Sequence, residues 1–389
     1  MSTKTESLEL QRSMGFKEVL SIAIGQTIGS GVMAMTGTAL GMTGSGVMIA
    51  YLLSALINII MNIPLAVMGS TVPSTGGEYK YASRLLSTKM GIFYIFLYIA
   101  YNLTLSLYAI SFADYMQTLI PSVPFKLIAF LFLTLFFIIN LFGIKKAAKV
   151  ENIMVIALIA ALSMFIFFGL PKVNFEVFNS GQMFPNGLRG MITAAGLLTF
   201  ATGGSGAVAY MGGEIKNPSK TIPICMILGT LIVAIIYAGI GMVAGGVLPI
   251  EQIANQNLAV VAKQILPKGF FEFFIIFGAI GAIATTLNST FMWVTKPLLA
   301  ACNDFKELGS IPRIMGAVNK KYGTPHNLLI MFYLIGVIPV LFGISLKTVS
   351  ALGTGLMLLM AALPLAASAF LYKKLVPLLL LYLLFRLIP

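Results

Sequence analysis

A short glycine-rich stretch inside the first long apolar segment decides the fold: Ile28-Gly29-Ser30-Gly31-Val32. A second stretch of the same kind, residues 203–206 (GGSG), lies inside the sixth apolar segment. Glycine is costly inside a helix, and a bilayer tolerates unwound backbone only where protein or water satisfies its polar groups. Two such breaks at corresponding positions of two halves predict the substrate site of a membrane transporter.

The composition indicates an all-α membrane protein. Hydrophobic residues make up 58% of the 389 residues and charged residues 10%, whereas soluble domains carry about 25% charged residues. Each apolar run of about 20 residues is long enough to cross a bilayer core. We predict about eleven spans: 16–41, 45–72, 90–119, 125–143, 151–170, 188–212, 222–247, 269–301, 326–345, 347–371 and a short last one at 375–388.

No linker separates soluble domains, so we predict one membrane domain built from two repeats. A short tail (1–15) precedes a first repeat (16–170) and a second repeat (188–371), and a short extra helix (375–389) follows. Because each repeat holds five spans, the two would insert with opposite topology, and their broken first helices would meet near the midplane.

The basic residues predict the orientation. With the N-terminus in the cytoplasm of a plasma-membrane protein, most of the 25 Lys and Arg residues fall on the inner side, in accord with the positive-inside rule. They are spread over several inner segments and form no patch interleaved with aromatic residues. We therefore attribute the net charge of +13 to the lipid bilayer and expect no nucleic-acid partner.

Two connections are more than short turns. The inner loop 73–84 mixes glycines, tyrosines and charges, and the outer segment 250–266 carries apolar residues at helical spacing. This spacing predicts an amphipathic helix over the outer face. It would serve either as a lid or as an interfacial helix.

The sequence contains few of the residue groups that an enzyme active site needs. His326 is the single histidine, and we find neither a cluster of carboxylates nor a Cys/His set with metal-ligand spacing. We expect no catalytic residues, cofactor or metal.

The glycine breaks suit the binding of a zwitterion. The half-helix after the first break offers free amides and a positive dipole end, with Ser30 beside them, to a carboxylate. The second break exposes the carbonyls of 200–203 to an ammonium group. The alternative is that the small residues merely let helices pack closely.

Several motifs support this reading: 24–32 (IGQTIGSGV), 73–81 (PSTGGEYKY), 200–204 (FATGG) running on to 213–218 (GEIKNP) and Pro223, and 320–326 (KKYGTPH). Together they resemble the amino acid–polyamine–organocation superfamily of amino acid permeases, over about residues 16–371. The resemblance implies a leucine-transporter-like 5+5 inverted repeat with discontinuous helices 1 and 6, usually twelve helices, and alternating access.

The resemblance also implies a set of site residues. The first break would hold the substrate carboxylate, the backbone of the second would hold the ammonium, and Phe200 would close over the substrate from outside. Tyr98, Tyr101, Tyr108 and Asn102 in the third span either line the pocket or pack against neighbours. The predicted substrate-binding residues are Ile28, Gly29, Ser30, Gly31, Asn102, Phe200, Ala201, Gly203 and Gly204.

Two departures from the family pattern concern coupling and pocket shape. Leu158 stands where many sodium-independent relatives carry a lysine, and Ser205 stands where many place a tryptophan, which favours a roomier pocket. A sodium ion is one candidate coupling ion, with hydroxyls of the eighth span as its ligands. The alternative is that these hydroxyls bond to their own helix backbone, as hydroxyls in membrane helices often do. The candidate ion site comprises Gly25, Ile28, Thr285, Thr286 and Ser289.

A proton would need a titratable group within the membrane. We place only Asp114 inside a span, near its outer end, and assign Glu78, Glu151 and Glu214 to the inner boundary. Glu78 and Glu214, near Arg84 and Lys216 in sequence, would form an inner gate or else be solvated boundary charges.

These observations predict a secondary transporter of a small amino acid. A neutral substrate is favoured because we place no acidic residue to hold a cationic side chain. Sodium or proton coupling, exchange and facilitated transport all stay open. An amino-acid-gated channel or a transporter-like nutrient sensor is the alternative, although we see neither a continuous polar path nor a long tail.

Overall fold

The computed structural model describes residues 12–178, 183–346 and part of 348–373. The side chain of Ser30, most of the predicted tail and the predicted helix at 375–389 lie outside the described residues. All named elements of the described part are helical, so the prediction of an all-α architecture is confirmed.

The first half of the chain forms a broken helix, a long helix, a short helix and then three further spans. Short 3₁₀ or π turns at Gly44–Gly46, Ala82–Leu86 and Asn102–Thr104 join neighbouring helices. The helices are α1 (Phe16–Thr27), α2 (Ser30–Thr43), α3 (Val47–Thr71), α4 (Gly77–Tyr81), α5 (Thr88–Tyr101), α6 (Leu105–Leu119), α7 (Phe125–Leu141) and α8 (Ile144–Gly169).

The second half begins in the same way, with a helix that breaks and continues as the 3₁₀ turn Ser205–Tyr210. A π turn, Phe274–Ile280, joins α13 to α14. The helices are α9 (Gly187–Thr202), α10 (Pro218–Val247), α11 (Ile250–Ile253), α12 (Ala259–Ile265), α13 (Lys268–Phe273), α14 (Gly281–Trp293), α15 (Lys296–Asp304), α16 (Ser310–Met315), α17 (His326–Phe342) and α18 (Thr348–Ala367).

Seven helical stretches of the described residues are long and apolar enough to cross a membrane, and α7 and α17 are shorter apolar helices. The predicted total of about eleven spans stays a prediction. The seven stretches are Met35–Thr71, Thr88–Gln117, Ile144–Lys172, Gly187–Tyr210, Pro218–Val247, Lys268–Asp304 and Thr348–Ala367.

Both predicted breaks are present in the backbone. The first helix stops at Thr27, and Ile28 (φ −80°, ψ 92°) and Gly29 (φ −115°, ψ −160°) are extended before α2 begins. The second stops at Thr202, and Gly204 has φ +138°. That φ value strains any residue with a Cβ, which is why a glycine stands there.

Two clusters of buried apolar side chains fill the bundle. One joins mainly α5, α6, α7 and α17, and the other joins mainly α2, α3, α8, α9 and α10. Helix α1 contributes Ile22 to the first and Ile24 to the second. The broken first helix therefore lies where the two clusters meet.

Two boundaries differ from the prediction. Segment 250–266 is not one helix but the two short helices α11 and α12, because the chain turns at Asn255 with φ +62°. The Asn255 amide there donates to the carbonyl of Gly37 on α2 (2.9 Å). Helix α8 begins at Ile144 rather than 151, which places Glu151 inside a helix.

Candidate functional site

The two breaks lie directly against each other. A Cβ added to Gly204 would lie 2.6 Å from the carbonyl oxygen of Gln26, and one added to Gly31 would lie 3.0 Å from the Cα of Ala201. Both distances leave no room for a side chain. Glycine at these two positions lets the backbones of the first and sixth spans approach each other closely.

The first break presents mainly amides. The first-turn N–H groups of α2 have no intrahelical acceptor, and they carry the positive end of its dipole. The hydroxyl of Thr286 on α14 lies 3.2 Å from the carbonyl oxygens of both Gly25 and Ile28 and 2.9 Å from the carbonyl oxygen of Ala282 in its own helix, so its single hydrogen is shared among them. Helix α14 thereby fixes the chain at the break.

The second break is held by α3. The Asn58 side-chain amide donates to the carbonyl of Thr199 and to the hydroxyl of Thr202, both at 2.8 Å. The Thr202 hydroxyl in turn donates to Ser54 (3.1 Å). Sequence reasoning missed Asn58; the signal was a pair of side-chain amides, Asn58 and Asn62, inside a long apolar span.

A polar and aromatic group lies next to the breaks. The Oε1 of Gln26 accepts from Thr290 (3.3 Å) and from the indole N–H of Trp293 (3.1 Å). The Trp293 ring stacks on Tyr210, with ring centroids 5.0 Å apart. Sequence reasoning passed over Gln26, a polar residue two positions before the break.

The predicted lining residues of the third span divide into two groups. Asn102 is buried and donates to the carbonyl of Tyr98 in its own helix (2.7 Å), and the Tyr98 hydroxyl donates to Val294 (2.8 Å). The polar groups of these two side chains are thus hydrogen-bonded to backbone carbonyls, and a role of Asn102 in substrate binding stays a prediction. Tyr101 and Tyr108 stay half-buried.

Two residues of the sixth span, Phe200 and Ser205, have different surroundings. The Phe200 side chain is 53% exposed, so in this arrangement it does not cover the breaks. The Ser205 side chain is buried and shares a hydrogen bond with Thr230 of α10 (2.9 Å).

Two of the three hydroxyls of the candidate ion site, those of Thr285 and Thr286, share the carbonyl of Ala282 as an acceptor. Thr286 also joins Gly25 and Ile28, as described above, and Thr285 donates to Ala282 in its own helix (3.0 Å). Ser289 donates to a carboxylate oxygen of Glu151 (2.8 Å). The described residues bring together no group of three His, Cys, Asp or Glu side chains that could hold a metal ion.

The structure buries an acidic residue that the sequence did not predict to be buried. Glu151, assigned to the boundary, is fully buried between α8, α1 and α14, whereas Asp114 is exposed near the end of α6, as expected for a residue near the outer end of its span. The physical reason is the early start of α8. Two turns of helix precede Glu151 and carry it into the bundle beside Gly25.

The predicted inner-gate carboxylates have other partners than the neighbouring basic residues. Glu214 pairs with Lys296 of α15 at 2.8 Å, and the two side chains are only 2% and 3% exposed. Arg84 and Lys216, in contrast, are exposed.

Glu78 accepts from the hydroxyl of Tyr94 (2.9 Å). Burial raises the pKa of the Glu78 carboxyl, and hydrogen bonds from Tyr210 and Tyr94 partly oppose that rise. The folded state favours the protonated form of Glu78. The stabilisation of the folded state by this carboxyl is therefore fully present below the ordinary carboxyl pKa. It is lost as the pH rises through the raised value.

The same side of the bundle is closed by backbone pairing. The amides of Ser13 and Met14 donate to the carbonyl of Glu214 (2.9 and 3.0 Å), and the amide of Gly76 donates to Tyr210 (2.9 Å). We call this the N-terminal side. Its polar contacts join the chain start, the loop before α4 and the segment after the second break.

Comparison with known proteins settles the family. The model of the family described as "Amino acid permease" matches residues 14–378. The chain belongs to the amino acid permease family. It is thus a multi-pass secondary transporter rather than an enzyme, and its recognition as an amino acid permease is confirmed.

Relatives and solved structures agree with this assignment. The branched-chain amino acid permease BcaP of Bacillus subtilis is 26% identical over 82% of this chain and 72% of its own length. The serine/threonine exchanger SteT of the same organism is 28% identical over 73% of this chain and 66% of its own length.

The fold is shared with solved leucine-transporter-like structures. A Na⁺-coupled sialic acid symporter in a substrate-bound outward-open state has a TM-score of 0.67 at 14% identity, covering 92% of this chain and 79% of that chain. MHP1, a nucleobase-cation-symport-1 family transporter in a closed conformation with bromovinylhydantoin bound, has a TM-score of 0.62 at 14% identity, covering 91% and 78%.

Proposed function

We propose that this permease moves a small neutral amino acid across the plasma membrane by alternating access. Its N-terminus lies in the cytoplasm, and its spans form a 5+5 inverted repeat. The observation that carries the proposal is the meeting of the two backbone breaks, which brings the free amides of α2 beside the end of α9. A zwitterion needs donors at one end and acceptors at the other.

Each break has its own role in the proposal. The substrate carboxylate binds the amides of 29–31, aided by Ser30, and the ammonium group binds carbonyls near Ala201 and Gly203. Gly204 keeps the two backbones close enough for one small molecule to reach both. Phe200 swings over the site when the outer side closes.

The proposal of a neutral substrate rests on the names of two relatives rather than on the charges of the described residues. Among the described residues, the nearby carboxylates of Glu151, Glu214 and Glu78 are engaged with Ser289, Lys296 and Tyr94 respectively. Of these three, only Glu214 is paired with a positive charge, and the partners of Glu151 and Glu78 are neutral. BcaP and SteT, whose names specify branched-chain amino acids and serine or threonine, support the same substrate class.

The closed N-terminal side supports alternating access. To open it, the Lys296–Glu214 pair and the bond from Tyr94 to Glu78 must separate, together with the backbone pairing of Met14. These contacts form the inner gate in the proposal. A gradient of sodium ions or protons drives the cycle.

The first test concerns the break itself. We expect Gly31→Leu to abolish amino acid uptake, because its side chain would enter the space of Ala201, whose Cα lies 3.0 Å from the Cβ position. Ser30→Leu should have the same effect by blocking the carboxylate site. The measurement is uptake and counterflow of labelled amino acids in proteoliposomes.

A matched control is Gly196→Leu on α9. The Cβ position of Gly196 has nothing within 4 Å, so this variant adds the same side chain to open space and should transport normally. Wild-type uptake by Gly31→Leu would refute the site. Counterflow also separates the alternatives, since unlabelled substrate stimulates exchange through a transporter but not through a channel or a sensor.

A further inference from the structure

A carboxylate lies buried in the bundle with only neutral partners. The Oε2 of Glu151 accepts from the Asn288 side-chain amide (2.8 Å), and Oε1 accepts from the Ser289 hydroxyl (2.8 Å). Its side chain is fully buried. Nothing in the proposed substrate or gate contacts uses this group.

The partners of Glu151 are themselves oriented by a chain of hydrogen bonds. The Asn140 amide donates to its own helix at Phe136 (2.9 Å) and to the Asn288 side-chain oxygen (3.0 Å). With its oxygen so occupied, Asn288 turns its NH₂ group toward Glu151 and the carbonyl of Ala147 (3.1 Å). A network of this kind holds the carboxylate in one place.

No described cation balances this charge. On the elements packed around Glu151, Lys17 of α1 and Lys220 of α10 are exposed, and Lys126 of α7 bonds to Leu341. Helix α14 carries no ionisable residue. On α8 itself, Lys145, Lys146 and Lys149 are exposed and Leu158 is apolar.

An isolated buried carboxylate is very costly unless a positive charge joins it. We propose that Glu151 is the coupling site of this permease. Its carboxylate takes up one monovalent cation, a proton or a sodium ion, in each transport cycle. Either cation would neutralise the buried carboxylate. The inference rests on the proposed transport function.

The position of Glu151 links its charge to the substrate site. A Cβ on Gly25 would lie 1.9 Å from the Oε1 atom, so α1 rests on the carboxylate immediately before its break. Thr286 ties the carbonyls of Gly25 and Ile28 together from α14. The closed packing of α1, α8 and α14 therefore requires that the carboxylate carries its proton or sodium ion. When α1 moves on inward opening, water reaches the carboxylate and the cation is released.

The test is Glu151→Gln, which keeps the shape and removes the charge. Proteoliposomes are assayed for counterflow, for uptake driven by a pH gradient, and for uptake driven by a sodium gradient. One pH unit is worth about 1.4 kcal/mol, or about tenfold accumulation for one proton per substrate. We expect the ratio of gradient-driven accumulation to counterflow to fall by about that factor, under the pH gradient if the cation is a proton and under the sodium gradient if it is sodium.

Asp114→Asn is the matched control, because it removes an exposed carboxylate from another span and should leave all three rates unchanged. An unchanged ratio in Glu151→Gln overturns the inference. Counterflow without accumulation under either gradient in the wild-type protein overturns it as well, while leaving the transport proposal intact. A wild-type protein that shows no counterflow with any of the twenty amino acids refutes the transport proposal itself.

A second variant covers the case in which Glu151→Gln fails to insert. Glu151→Asp keeps the charge but withdraws it from Asn288 and Ser289, so it should retain gradient-driven accumulation and require a higher cation concentration. An unchanged dependence on both cations in this variant also contradicts the inference.

Discussion

Lys296→Met should destabilise the permease strongly. The change leaves the Glu214 carboxylate, only 2% exposed, without a positive partner among the described residues. Breaking a buried ion pair from one side costs about 3–5 kcal/mol. We expect the midpoint of thermal unfolding in detergent to fall by several degrees and uptake to be lost, because the N-terminal side can no longer close.

The double variant Lys296→Met/Glu214→Gln identifies the cause. It removes both charges, so it should recover much of the unfolding midpoint lost in the single variant. Lys220→Met, which removes an exposed lysine from α10, serves as the control and should unfold like the wild type. Equal midpoints for the single and double variants would show that the lysine does not act through Glu214.

Local composition predicted the helix breaks and the positions of most helices, because both depend on residues that are neighbours in sequence. The glycines near Gly29 and Gly204 predicted the breaks because glycine is costly inside a helix and the two clusters stand at corresponding positions of the two halves. Hydropathy placed most helices to within a few residues. The match of the family model over residues 14–378 confirms the class that these features indicated.

The parts missed depend on contacts between distant residues. The lysines at 145, 146 and 149 suggested that the fifth span starts near Glu151, whereas the helix begins at Ile144 and turns its lysines outward. Burial of Glu151 also requires Gly25 opposite it, a glycine outside the break. In the same way, Glu214 forms its ion pair with Lys296, which is distant in sequence, rather than with its sequence neighbour Lys216.

Gly204→Ala should abolish transport although it adds a single methyl group. The residue has φ +138°, a conformation that costs a residue with a Cβ about 1–3 kcal/mol. The new Cβ would also lie 2.6 Å from the carbonyl oxygen of Gln26. To relieve the clash, the two breaks must move apart. We expect uptake and counterflow in proteoliposomes to be lost.

Gly196→Ala is the control for this variant, because it adds the same methyl group to α9 where nothing lies within 4 Å. The loss in Gly204→Ala should exceed what unfolding explains, because the added methyl group acts at the contact between the two breaks. A folded Gly204→Ala protein should therefore give no thermal shift with any amino acid that stabilises the wild type by binding its native state. Substrate-induced stabilisation equal to the wild type would mean that the zwitterion does not bind across the two breaks.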